Sequence, residues 1–132
     1  MQKKIEIISQ YQQFLLTIPE KIDNSTIKGV EIIKHLGLSK SGFYNKKYGN
    51  RTWLLKEVKG LCELLNLDSQ PSEEFSKLLF GIEKSIDDQK KFRKSYIYEQ
   101  VGLTKIMVYV RHKDPENWTI EELKKLFEVL ES

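Results

Sequence analysis

The sequence predicts an all-α fold made of two repeated small helical units. Apolar residues recur three and four positions apart through most of the chain, which is typical of amphipathic helices. The segments between these runs show no sustained alternation of apolar and polar residues, which would indicate strands. The second half of the chain also repeats the first half after a shift of 65 residues. A repeat of this kind indicates that one helical unit occurs twice.

The repeat is clearest between residues 35–65, here called the first copy, and residues 100–130, the second copy. The first copy reads HLGLSKSGFYNKKYGNRTWLLKEVKGLCELL, and the second reads QVGLTKIMVYVRHKDPENWTIEELKKLFEVL. The matched positions include Gly37 and Gly102, Leu38 and Leu103, Ser39 and Thr104, Lys40 and Lys105, Tyr44 and Tyr109, Trp53 and Trp118, and Glu57 and Glu122. We therefore divide the chain into a first unit, residues 1–67, and a second unit, residues 68–132.

The first two helices of the first unit are predicted from their apolar stripes and their end signals. The first helix spans about residues 2–18, because Pro19 follows its last apolar residue and breaks the pattern. The second helix follows the polar segment DNST and ends at Gly37, since glycine is favoured just after a helix.

The next two helices form the rest of the unit. Ser39 is a typical N-cap and begins a short third helix that runs to about residue 48. The fourth helix covers about residues 50–66 and turns Trp53 and Cys62 towards the core.

A polar linker and a capping motif mark the second unit. Residues 67–75 are rich in turn-forming residues, and Pro71 is expected near the start of the next helix. Thr119 and Glu122 have the spacing of a capping box and are expected to open the last helix.

The composition is typical of a soluble helical protein. Hydrophobic residues make up 39% of the 132 residues and charged residues 31%. No apolar run approaches the roughly 18 residues of a membrane helix, and the N-terminus lacks the features of a signal peptide. The single cysteine cannot form an internal disulfide. We expect a cytoplasmic protein with no membrane partner.

Positive charge is concentrated in the first half of the chain. Residues 1–66 contain 11 Lys and Arg against 6 Asp and Glu, a net charge of +5, whereas residues 67–132 contain 11 against 13, a net charge of −2. Within residues 39–59, six basic residues face only one acidic residue, Glu57. An asymmetry of this kind favours a polyanion-binding first half, although a solvated basic face is an equally good interpretation of charge alone.

Nothing in the sequence indicates an enzyme, a metal site or a cofactor. Cys62 lies on an apolar helix face and is interpreted as a core residue. His35 and His112 lack ligands at metal-binding spacing, and no catalytic or phosphate-binding motif is present. Trp53 and Trp118 occupy equivalent positions and are interpreted as structural anchors.

The segment IIKHLGLSKSGFYNKKYGN, residues 32–50, resembles the lambda-repressor-like, Cro/repressor class of helix-turn-helix DNA-binding domains. The resemblance lies in a helix, a Gly-Leu-Ser turn, a second short helix and a turn with glycine. The following LCELLNL also resembles the usual end of such a domain. The match covers residues 26–67, and residues 91–131 more weakly.

This resemblance implies a sequence-specific double-stranded DNA-binding protein, a small transcriptional regulator of phage or mobile-element type. Its third helix would enter the major groove, with Phe43 buried and the opposite face towards the bases. The base-reading residues would be Lys40, Ser41, Tyr44 and Asn45. The phosphate-binding residues would be Lys28, Ser39, Lys46, Lys47, Asn50 and Arg51.

The second copy replaces this polar face by an apolar one. Ile106, Tyr109 and Val110 lie on one side of the equivalent helix, which is better suited to a protein contact than to base edges. We therefore interpret the second copy as a scaffold or protein interface. A second copy of the same chain, bound through this face in a homodimer, is the second expected partner. The alternative function is a helical protein-interaction module that keeps the fold without binding DNA.

Overall fold

The structure is a computed structural model that describes residues 4–131, and it is helical with no β-strand within that range. This confirms the predicted all-α class. In chain order the elements are α1 (Lys4–Asp23), α2 (Gly29–Leu36), α3 (Lys40–Lys47), α4 (Leu55–Leu65), α5 (Gln70–Phe80), α6 (Ile82–Asp88), α7 (Lys94–Val101), α8 (Lys105–Lys113), a short 3₁₀ helix (Pro115–Asn117) and α9 (Ile120–Leu130).

The chain divides into two compact units. The central unit is Tyr11–Glu73, and the split unit combines Met1–Gln10 with Glu74–Ser132. The sequence repeat predicted a different division, into residues 1–67 and 68–132. That division describes the repeat and not the compact units, and it stays a prediction.

α1 continues past Pro19, so the prediction that this residue ends the first helix is wrong. A proline inside a helix removes a backbone hydrogen bond and costs about 3 kcal/mol. The additional turn buries Ile22, and burying such a side chain contributes about 1.5–3 kcal/mol. Burial therefore offsets much of the penalty, and the helix ends only at Asp23. The predicted start near residue 2 lies outside the described residues.

α2 begins at Gly29, later than the polar segment that was expected to cap it. Its N-cap is Lys28, which makes no capping hydrogen bond through its side chain. Ser25 instead accepts a hydrogen bond from the backbone N–H of Ile27 at 3.0 Å. The predicted end is confirmed, because Gly37 has a φ of 68° and a ψ of 30°, the left-handed conformation that closes many helices.

α3 and α4 differ in how well their starts could be predicted. Ser39 is the N-cap of α3, as expected. α4 starts at Leu55 rather than near residue 50, so Trp53 precedes the helix. Trp53 is nevertheless buried, and its ring meets Phe43 edge-on with ring centroids 6.2 Å apart. Cys62 is buried too, which confirms its predicted place in the core.

α2, α3 and α4 have counterparts in the split unit. The bounds of α7 and α9 equal those of α2 and α4 shifted by 65 residues, and α8 is one residue longer than α3. α2 packs on α4, and α7 packs on α9. Gly102, the counterpart of Gly37, also has a positive φ, of 90°. Each unit therefore contains the same order of short helix, tight glycine turn, short helix and longer helix.

The predicted linker, residues 67–75, is wrong in its extent, because α5 already begins at Gln70 and residues 70–75 are helical. Pro71 lies in the first turn of α5, where its missing N–H is not needed. The capping box of α9 is confirmed: Thr119 Oγ1 accepts from the backbone N–H of Glu122 at 3.1 Å, and Glu122 Oε1 accepts from that of Thr119 at 3.0 Å. In residues 4–131 the helices are too short or too polar to cross a membrane.

Candidate nucleic-acid interface

The turn between α2 and α3 sets the direction of α3. Gly37 reverses the chain, and Ser39 then adopts an extended conformation with a φ of −78° and a ψ of 161°. The Ser39 hydroxyl accepts a hydrogen bond from the backbone N–H of Gly42 at 2.9 Å. A Cβ on Gly42 would lie only 2.9 Å from that hydroxyl, so glycine leaves room for the cap. The Ser39 hydroxyl is therefore engaged in capping the start of α3.

The buried face of α3 determines which side chains point outward. Phe43 is 1% exposed and anchors the helix to the core of the central unit. Lys40, Ser41 and Tyr44 are exposed, whereas Asn45 is half-buried. Three of the four predicted base-reading residues therefore lie on an accessible face, and Asn45 lies at its edge.

Tyr44 and Tyr48, of which only Tyr44 was predicted to face DNA, form an exposed pair that extends this face. The rings of Tyr44 and Tyr48 stack with centroids 6.0 Å apart and an interplanar angle of 15°. Tyr48 is 67% exposed, and Nζ of Lys47 lies 5.5 Å from its ring centroid. The spacing of the two tyrosines, four residues on one helix, is the signal that could have revealed the pair.

Lys46, predicted to bind phosphate, is already engaged inside the protein. Its Nζ donates to both carboxylate oxygens of Glu57, at 2.5 and 2.6 Å. The Lys46 side chain is 12% exposed and that of Glu57 4%. Moving the ammonium to a phosphate would leave a buried carboxylate unpaired, which is strongly unfavourable. The structure therefore places the Lys46 ammonium in an internal ion pair, and its predicted phosphate contact stays a prediction that we leave out of the proposed DNA-binding set.

Lys47 is held less firmly. Its Nζ donates to Asp23 at 2.6 Å, and this hydrogen bond raises the pKa of Lys47 above its usual value. The Lys47 side chain is only 12% exposed, but Asp23 is 63% exposed, so opening this pair leaves a solvated carboxylate rather than a buried one. Lys47 can therefore exchange Asp23 for a phosphate at small cost, although this acidic neighbour weakens the local positive charge.

The remaining predicted phosphate-binding residues flank α3 at its two sides. The backbone N–H groups of Asn50 and Arg51 both donate to the carbonyl of Asn45, at 2.8 and 3.2 Å, and hold the loop against the end of α3. Both side chains are exposed. Lys28 is exposed at the start of α2, where a Cβ on Gly29 would lie 4.0 Å from Oη of Tyr44.

The second copy repeats the frame of this site. Arg111 Nε and Nη2 donate to the two carboxylate oxygens of Glu122, each at 2.8 Å, at the positions of Lys46 and Glu57. Burial disfavours the charged form of Glu122, but the hydrogen bonds from Arg111 and Thr119 outweigh it and lower its pKa below the usual value. Each copy thus joins its middle helix to the start of its last helix by a partly buried ion pair.

The outward face of α8 is apolar. Ile106 is 77% exposed, Tyr109 65% and Val110 39%. The prediction that these side chains lie on the surface is confirmed, whereas their partner stays a prediction. They occupy the positions of Ser41, Tyr44 and Asn45 in the first copy.

The helices of residues 4–131 place the protein in the all-α class. Compared with protein-family models, with curated proteins and with solved structures, the chain matches none of them. Function therefore has to be argued from the residues of the two copies.

Proposed function

We propose that this chain binds double-stranded DNA in a sequence-specific way through α3, as a small transcriptional regulator of phage or mobile-element type. One observation carries the proposal. α3 is a short serine-capped helix that directly follows a tight glycine turn, and its exposed face holds lysine, serine and tyrosine. An α-helix of this kind fits the major groove, and its N-terminal residues reach the base edges.

In this proposal, residues in the first turns of α3 contact the base edges. Lys40 can donate to the acceptors of guanine, and Ser41 can bond to either partner of a base pair. Tyr44 offers its ring to a thymine methyl group and its hydroxyl to a base or a phosphate. Asn45, being half-buried, makes a smaller contribution.

Residues on the two sides of α3 make the phosphate contacts. Lys28 and Arg51 supply exposed cations, and Asn50 supplies an amide next to Arg51. The exposed hydroxyl of Tyr48 adds a donor at the C-terminal end of α3. Lys47 joins this set after release from Asp23. Such contacts position the protein on the duplex and carry no sequence information.

A protein-interaction module is the second candidate, and the apolar face of α8 favours it. In that case the basic residues around α3 would only keep the protein in solution.

Salt dependence separates the two candidates, because displacing counterions from DNA makes affinity fall steeply with salt. We expect retention of the chain on heparin to fall when Lys28 and Arg51 are both replaced by Ala; unchanged retention would favour the interaction module.

Matched substitutions at one position of the repeat test the proposal directly. Duplexes selected from a random pool by the wild-type chain serve as the probe in a gel-shift assay. Ser41→Glu brings a carboxylate against the duplex and should abolish binding. Ile106→Glu, at the equivalent position of the second copy, should leave it intact. Circular dichroism establishes that both variants are folded. If both bind as well as wild type, or if selection yields no enriched sequence, the proposal fails.

A milder substitution tests the role of Lys40. Lys40→Ala should weaken binding to the selected site by about 1–3 kcal/mol and relax the preference at one base pair. Lys105→Ala, at the same position of the second copy, is the control and should change neither quantity. An equal loss on selected and random duplexes would show that Lys40 contacts phosphate rather than a base.

A further inference from the structure

The outward stripe of α8 is a surface that DNA binding by α3 does not use. Ile106, Tyr109 and Val110 follow the three- and four-residue spacing of one helix face. Met107, Val108 and Arg111 are half-buried on the other side, where Arg111 pairs with Glu122. α8 is thus amphipathic, but part of its apolar surface faces water. An exposed apolar stripe of this kind marks an interaction site.

Both ends of the stripe carry positive charge. Lys105 and Lys113 are exposed at the first and last positions of α8. The acidic residue that follows, Asp114, is used within the chain, since its Oδ1 accepts a hydrogen bond from the backbone N–H of Glu116 at 3.1 Å. His112 pairs with Glu83 at the side of the helix. The stripe is therefore an apolar surface between two lysines.

This charge pattern disfavours a second copy of the same chain as the occupant. In a two-fold pairing of α8 with itself, antiparallel helices would bring Lys105 next to Lys113 of the other chain. Parallel helices would bring each lysine next to its own equivalent. Both arrangements place like charges at the ends of the apolar contact, which opposes association. The apolar side chains also lack the hydrogen-bonding groups that read base edges.

We infer that α8 is a docking surface for an acidic amphipathic helix of another protein. Apolar side chains of that helix would cover Ile106, Tyr109 and Val110, and flanking Asp or Glu residues would pair with Lys105 and Lys113. Recognition of this type uses apolar anchors one helical turn apart. The inference stands whether or not α3 binds DNA.

A pair of synthetic peptides and a charge reversal test the docking surface. Both peptides have about four helical turns and leucines at helical spacing; one carries Glu beside the leucines and the other Lys. Calorimetric titration into the full chain should show binding of the Glu peptide only. The double variant Lys105→Glu/Lys113→Glu should reverse this preference. Val110→Asp should weaken binding by roughly tenfold or more, as expected for an anchor residue.

Matched controls separate the possible occupants. Asn45→Asp, at the equivalent position of the first copy, should leave peptide affinity unchanged, and circular dichroism establishes the fold of each variant. The inference is overturned if both peptides bind equally, if neither binds, or if the charge reversal has no effect. It is also overturned if sedimentation shows a dimer that Val110→Asp dissociates, since the occupant is then a second copy. Loss of duplex binding in folded Val110→Asp would instead identify α8 as a nucleic-acid contact.

Discussion

α3 and α8 have the same local frame and different outward faces. Each follows a glycine with positive φ and is capped by a hydroxyl that accepts from the third residue along, Gly42 in one case and Met107 in the other. Each sends a basic side chain to a glutamate at the start of the following long helix. Outward, both helices present a lysine at the first position and a tyrosine four residues later, but α3 has Ser41 and Asn45 where α8 has Ile106 and Val110.

This comparison separates what holds the helix from what the helix can bind. The turn, the cap and the ion pair are formed by residues that are not part of the outward stripe, so the outward side chains can differ between the copies while this frame is kept. A polar face suits base edges and an apolar face suits protein, and we therefore propose different partners for the two helices.

The largest expected effect comes from the two partly buried ion pairs, Lys46–Glu57 and Arg111–Glu122. Glu57→Gln leaves the ammonium of Lys46 without its carboxylate, and removing one partner of a buried pair costs about 3–5 kcal/mol. Glu122→Gln should cost less, because Glu122 is less buried than Glu57. Urea unfolding of the two variants measures both losses.

An apolar replacement of the whole pair is the control. Lys46→Met with Glu57→Leu removes both charges together and should recover most of the lost stability. A loss below about 1 kcal/mol for Glu57→Gln would place this pair in the range of solvent-exposed ion pairs and remove it as an anchor of α3.

Features that depend on neighbouring residues could be predicted from the sequence. The Ser39 cap, the Gly37 turn and the capping box at Thr119 each need only a few adjacent positions, and the structure has all three. The burial of Cys62 followed from apolar spacing along α4, whereas Trp53 is buried although it precedes that helix. The outward direction of Ile106, Tyr109 and Val110 followed from the repeat in the same way.

Features that depend on distant residues could not be predicted so well. The end of α1 depends on the burial of Ile22, which offsets much of the penalty at Pro19 and which the local signal of Pro19 does not reveal. The pairing of Lys46 depends on Glu57, 11 residues away and on another helix. The repeat nevertheless contained a signal of this pairing, because positions 46 and 111 are both basic and positions 57 and 122 are both acidic. Read together, these four positions indicate an ion pair rather than a phosphate contact.

The salt dependence of DNA binding is the next effect in size, and it tests whether Lys46 contacts phosphate or only Glu57. Arg51→Ala should reduce the slope of log affinity against log salt by about 0.9, the value for one phosphate contact. The double variant Lys46→Met/Glu57→Leu should leave the slope unchanged, because Lys46 is directed to Glu57. A lower slope in the double variant would restore Lys46 to the phosphate-binding set.

A smaller effect concerns the pH dependence of the pair in the second copy. The pKa of Glu122 in the folded protein lies below the ordinary value of 4.5, so its ionised form stabilises the fold. This contribution is complete above the pKa of the unfolded chain and is lost as pH falls through the folded pKa. The difference in unfolding free energy between wild type and Glu122→Gln should therefore be constant near neutral pH and shrink in acid. Arg111→Met should remove much of this pH dependence, and a difference that grows in acid would contradict the assignment.

The smallest expected difference between the copies lies at their turn glycines. Gly37 and Gly102 both have positive φ, and nothing lies within 4 Å of a Cβ placed on either. Alanine at each position should therefore add only backbone strain, about 1 kcal/mol, with no steric clash. Asparagine tolerates this conformation better, as Asn66 with its φ of 56° illustrates, so Gly37→Asn and Gly102→Asn should lose less than the alanine variants. Urea unfolding should give nearly equal losses for Gly37→Ala and Gly102→Ala. Clearly unequal losses would mean that the two turns carry different strain, and that the copies differ in their inward frame as well as in their outward faces.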